Sequence, residues 1–119
     1  MARYVDGFVI PVPKKNLTAY RAMAKMGCRV WKEHGALEYY ECVGEDLKIK
    51  GMMPFPRMAR AKAGETVVFS WIVYKSRAHR DRVTAKVMAD KRIAGMMKGK
   101  MPFDVKRMAY GGFKVMIKA

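Results

Sequence analysis

Thr66-Val67-Val68-Phe69-Ser70-Trp71-Ile72-Val73-Tyr74 is the stretch on which the fold turns. Its residues are almost all β-branched or aromatic, which favours a pleated strand. Val67, Phe69, Trp71 and Val73 fall on one side of such a strand, Val68 and Ile72 on the other. A strand that is apolar on both sides needs cover on both sides. Tyr4 to Val12 (YVDGFVIPV) has the same character, with Val5, Gly7 and Val9 set against Phe8 and Ile10. Pro11 and Pro13 donate no ladder hydrogen bond and close that run.

Between these two runs the periodicity changes. From about Asn16, a candidate N-cap, to His34, the residues Leu17, Tyr20, Ala24, Gly27, Cys28 and Trp31 share one helical stripe, and Gly35 is the expected stop. Leu37 to Val43 (LEYYECV) reads as a strand, and the basic, proline-broken stretch from Lys48 to Gly64 as a long connection. Ser76 is placed to cap a second helix running through about Ala89, on which His79, Val83 and Val87 stack at i, i+4 and i+8. A short helix over Lys91 to Lys98 and a last strand over Arg107 to Ile117 complete the chain. The order β-α-β-β-α-β specifies an α+β, ferredoxin-like domain over residues 1–119, an antiparallel four-stranded sheet with helices on one face. The first and third strands are then central. The face that the helices leave bare is expected to meet a second copy of itself, in a two-fold homodimer.

Composition narrows the function classes. The chain has 119 residues, 51% hydrophobic and 29% charged, which is one globular domain. No apolar run approaches the roughly 18 residues of a membrane span, so no membrane association is expected. The N-terminus lacks a signal-peptide pattern and Cys28 and Cys42 fit neither a zinc nor a redox spacing, so a cytoplasmic protein with reduced thiols is expected. Eighteen basic residues follow Leu47, against the acids Glu65, Asp81, Asp90 and Asp104, so nearly all of the net charge of +15 lies there. Arg77, Arg80, Arg82, Lys86, Lys91, Arg92, Lys98 and Lys100 ride on or beside one helical region. They point to sequence-independent binding of nucleic acid or other polyanions, since no nucleic-acid recognition motif is present.

The residues state no reaction. His34, His79, Glu38, Glu41, Tyr39, Tyr40 and Tyr74 are the groups from which an acid–base pair would have to come. His34 ends a helix, where an imidazolium satisfies terminal carbonyls; His79 opens one, as a packing or capping residue. Glu38 and Glu41 lie on opposite faces of their strand and form no carboxylate pair. No catalytic residue, metal ligand or cofactor is assigned. Trp31, Tyr39, Phe69 and Trp71 are the candidate lining of a small-molecule pocket. Twelve methionines are a further oddity. Met23, Met26, Val30, Met52, Met53, Met96 and Met97 read as an adaptable apolar partner surface.

Several motifs resemble a known family. His34-Gly35-Ala36-Leu37-Glu38-Tyr39, Glu65 to Tyr74, Ser76-Arg77-Ala78-His79-Arg80-Asp81, Met101-Pro102-Phe103-Asp104 and Tyr110-Gly111-Gly112-Phe113 are similar to the YbaA-like family of small bacterial proteins. The opening Tyr4-Val5-Asp6-Gly7-Phe8, the Phe55-Pro56 pair and Lys86-Val87-Met88-Ala89-Asp90 extend the likeness to nearly the whole chain. The resemblance implies a ferredoxin-like subunit of a dimeric α/β barrel and no established function. Such barrels are structurally similar to cofactor-free monooxygenases, an analogy of fold that carries no activity. Met26, Met52, Met53, Lys98, Lys100, Lys114 and Lys118 stand where the family leads one to expect polar or acidic residues, which reads as an engineered surface on a retained core. The leading expectation is therefore a non-enzymatic homodimeric scaffold, engineered to associate with further copies or a second component. The alternative is a small-molecule-binding protein or a cofactor-free monooxygenase-like enzyme.

Overall fold

A computed structural model describes residues 2–119. Strand β1 (Tyr4–Pro13) leads through a 3₁₀ turn (Lys14–Asn16) into helix α1 (Leu17–Glu33). Strand β2 (Glu38–Val43), a one-turn helix α2 (Phe55–Met58) and strand β3 (Glu65–Tyr74) follow. Helices α3 (Arg77–Met88) and α4 (Lys91–Lys98), a second 3₁₀ turn (Val105–Arg107) and strand β4 (Ala109–Lys114) close the chain. The sheet order is β2-β3-β1-β4, antiparallel throughout, so β1 and β3 are the central strands as expected.

Strand alternation sorts the side chains. On one face Ile10, Val12, Val68, Ile72 and Tyr74 pack with Tyr20, Ala24 and Val30 of α1, Val83 and Val87 of α3, and Ile93 of α4, all buried. Each such side chain is worth roughly 1.5–3 kcal/mol in transfer from water. The other face carries aromatic rings and is only partly covered within the chain: Pro11, Val67 and Val73 are buried there, while the rings around Phe69 are not. Tyr40 stacks on Trp71 at 4.8 Å, Phe69 lies 5.4 Å from Trp71, and Phe55 of α2 lies 6.2 Å from Phe69. Phe69 and Phe113 are 44% and 62% exposed, far more than core aromatics tolerate. Phe113 lies against Gly7, where a Cβ would come within 3.2 Å of its ring.

Several element ends follow the capping rules. Ser76 Oγ accepts the His79 N–H at 3.2 Å, and Asp90 Oδ1 accepts the Arg92 N–H at 2.9 Å. Gly35 ends α1 at φ 115°, a conformation that L side chains rarely adopt. Asn16 does not cap α1. The 3₁₀ turn runs directly into the helix, so Asn16 lacks extended cap geometry, and its Nδ2 donates instead to the Pro102 carbonyl at 3.0 Å. The last strand begins two residues later than expected because Arg107 is drawn into a turn. Its guanidinium grips Glu65 through two bonds of 2.7 and 2.6 Å, tying the start of β3 to the approach to β4.

That grip makes an acid-stability prediction. The paired Arg107 guanidinium, helped by the Lys62 backbone N–H, holds the Glu65 carboxyl down to about 2, from 4.5. Its contribution is complete above pH 4.5 and is lost as pH falls from there through about 2. Glu65→Gln should therefore flatten this part of an unfolding-free-energy profile measured by circular dichroism. An unchanged slope between those values would mean that the pair adds no pH-dependent stability.

Candidate functional site

Strand β2 and helix α1 build the site between them. Tyr39 and Glu41 alternate with Tyr40 and Cys42, and the β2–β3 register sets them beside Ile72 and Ser70 on the helix-covered face. From α1, Tyr20, Ala24 and Gly27 look back at the strand from the buried side of the helix. The Tyr20 hydroxyl donates to Glu41 Oε1 and the Tyr39 hydroxyl to Oε2, both at 2.7 Å. Burial and then the neighbouring Glu41 charge push both phenols far above their ordinary range. Both therefore stay protonated and remain donors. Gly27 makes room for the arrangement, since a Cβ there would stand 3.1 Å from the Tyr39 hydroxyl.

Two cavities meet at this triad. An outer cleft of about 640 Å³ runs along the seam of α1 and β2, with Leu17, Cys28 and Val43 in its wall and Arg21 and Lys25 at its side. An inner cavity of about 360 Å³, partly open to solvent and with the exposed Met88, Met97 and Val105 in its wall, lies between sheet and helices. Glu41, Tyr20, Tyr39 and Ala24 belong to both walls. The inner wall is otherwise apolar apart from Ser70, and six methionines line it: Met23, Met88, Met96, Met97, Met101 and Met108. Trp31 is also in this wall, with its indole N–H donated to the Tyr74 hydroxyl at 3.1 Å.

The expected pocket residues divide. Trp31 and Tyr39 line the inner cavity, but Phe69 and Trp71 do not, because strand alternation turns them to the bare face. The expected methionine surface also divides. Met26, Met52, Met53 and Met97 are exposed. Val30 is fully buried, and Met23 and Met96 pack against the core, because α3 and α4 cover a side of α1 that a single sheet-facing stripe does not include. Of the basic residues, Arg77, Arg82, Lys86, Lys91, Lys98 and Lys100 are exposed. Arg80 is not free, being held by Asp6 and Asp81, and Arg92 is engaged by Asp90 and Glu33.

Both histidines are bonded within the fold. His34 Nε2 lies 2.9 Å from Asp90 Oδ2, so the end of α1 is clasped to the cap of α4 by a side chain, where helix carbonyls were the expected partners. His79 Nδ1 accepts the Lys75 N–H at 2.9 Å, and burial followed by the nearby cations Lys75, Arg82 and Lys86 lowers its pKa. Among the described residues, no cluster of three or more His, Cys, Asp or Glu side chains could hold a metal ion, and no helix is long and apolar enough to cross a membrane. Sequence reasoning missed the Tyr20–Glu41–Tyr39 triad. Its one local signal was an acid on the same side of β2 as a tyrosine, with no cation beside it in sequence.

Comparison with known proteins agrees with this architecture. A crystal structure of a dimeric ferredoxin-like protein from an uncultured marine organism superposes with a TM-score of 0.65, covering 100% of both chains at 9% identity, a likeness of fold alone. The uncharacterized protein YbaA of Escherichia coli K12 is 44% identical over 115 residues, 97% of each chain, and that of Shigella flexneri matches to the same extent. Residues 3–105 match the family described as protein of unknown function (DUF1428). With most of its length inside that match and a relative this similar over nearly its whole length, the chain belongs to the DUF1428 family.

Proposed function

We propose that the chain is a homodimer whose subunits each bind a small, mainly apolar molecule in the cavity between sheet and helices. The observation that carries this reading is the Glu41 carboxylate, inward-facing and tied to two tyrosines in the shared wall of two cavities. A charged group facing inward costs stability unless it is bonded. One convergent polar group in an otherwise apolar cavity of about 360 Å³ has the composition of a ligand site. Among the described residues neither cavity has a histidine in its wall, and none of Cys28, Cys42 and Ser70 there is hydrogen-bonded to a basic side chain, which supports binding over turnover.

The bare sheet face supports the dimer. The molecule is a slab of 38 × 37 × 20 Å with α1, α3 and α4 on one side and aromatic rings, with the short α2 beside them, on the other. A second copy would cover those rings with rings of the same kind, as an isologous contact requires. The two faces then have separate tasks, one for association and one for the ligand. Nuclear magnetic resonance of the two tryptophan indole N–H groups tests this division with a panel of small aromatic fragments. Trp31 should shift on titration while Trp71 stays in place. Perturbation of Trp71 alone, or of neither, would overturn the cavity reading.

A further inference from the structure

The donor and acceptor inventory of the inner cavity identifies the kind of ligand, granted the reading of that cavity as a ligand site. The Glu41 carboxylate offers acceptors, about four lone-pair positions. Two of these are taken by Tyr20 and Tyr39. The protons of both phenols are thereby committed, and the Trp31 indole proton is committed to Tyr74. Among the described residues, no arginine or lysine lines this cavity. Ser70 supplies the one other side-chain hydroxyl. A carboxylate or phosphate entering here would find no cation and would face the charge of Glu41. A group with an N–H or O–H would find an acceptor already in place.

We propose that the inner cavity takes a compact apolar molecule, uncharged or cationic, whose N–H or O–H group donates to Glu41. The rest of the wall sets size more than shape. Met23, Met88, Met96, Met97, Met101 and Met108 are unbranched and polarizable, so they re-pack around different ring outlines. Selectivity then comes from one hydrogen bond to a carboxylate and from exclusion of anions. Of the methionines that resembled a surface for a protein partner, Met23, Met96 and Met97 belong to this lining, and Met26, Met52 and Met53 do not.

Indole, indene and indole-2-carboxylate are nearly matched in shape and separate these effects. They would be titrated into the full-length protein with the Trp31 indole signal as readout. Indole should bind about tenfold or more tightly than indene, as a hydrogen bond to a charged acceptor warrants. Indole-2-carboxylate should bind more weakly than either. Glu41→Gln, verified as folded by its thermal unfolding, should narrow the indole preference and improve binding of the carboxylate. If that variant does not fold, the order of the three probes on the unaltered protein decides. Indene equal to or tighter than indole, or a preference for the carboxylate, would overturn the donor requirement and leave the cavity reading standing. No shift with any probe at millimolar concentration would overturn both.

Discussion

Arg80→Met should lower the unfolding free energy by about 3–5 kcal/mol, the usual result of stripping one partner from a buried ion pair. Asp6, the third residue of the central strand β1, is only 3% exposed. Arg80 Nη1 donates to Asp6 Oδ1 at 2.7 Å and to the Tyr110 hydroxyl at 3.0 Å, and the guanidinium sits 4.9 Å above the Tyr4 ring. Without Arg80, the Asp6 charge stays between sheet and helix with phenols as its remaining partners. Adding Asp6→Asn to Arg80→Met should recover part of the loss, because the bare charge is what destabilises. Urea titrations of the three variants measure both effects. A loss below about 1 kcal/mol for Arg80→Met would place the pair among weak surface bridges.

The second large effect concerns association. Phe69→Glu sets a carboxylate in the middle of the aromatic face, and a two-fold contact would bury two of them. Several kcal/mol of desolvation weaken the dimer by about a thousandfold or more. Light scattering should give twice the chain mass for the unaltered protein and the single-chain mass for the variant. Thermal unfolding should depend on concentration only in the former. Indole binding should survive, since Phe69 and the cavity lie on opposite sides of the sheet. A monomeric unaltered protein, or a dimeric Phe69→Glu, would refute the sheet-to-sheet arrangement.

The architecture was legible because it depends on local patterns: alternation over Thr66 to Tyr74, the helical stripe of α1, the stop at Gly35 and the cap at Ser76. The site depends on register, which local patterns do not carry. That Tyr20 meets Glu41 requires knowing where α1 crosses the edge strand. Arg80 looked like one of a basic group because its partner Asp6 lies 74 positions away. Val30 and Met96 looked like partner-surface residues because one stripe was allotted to the sheet and none to the neighbouring helices. Met26, Met52, Met53, Lys98, Lys100, Lys114 and Lys118 are all exposed, where substitution is nearly neutral. A relative 44% identical over 115 residues differs at more than half of the aligned positions, so the family tolerates wide change along its length.

Strand β3 carries the face division in alternate letters. Val68, Ser70, Ile72 and Tyr74 belong to the helix side, and Phe69 and Trp71 between them belong to the aromatic side. What the strand encodes is therefore phase as much as composition. A slip of one position would leave every residue type present and exchange the two surfaces completely. The bidentate clasp of Arg107 on Glu65, at the strand's first residue, thus acts as a reading-frame marker for the fold.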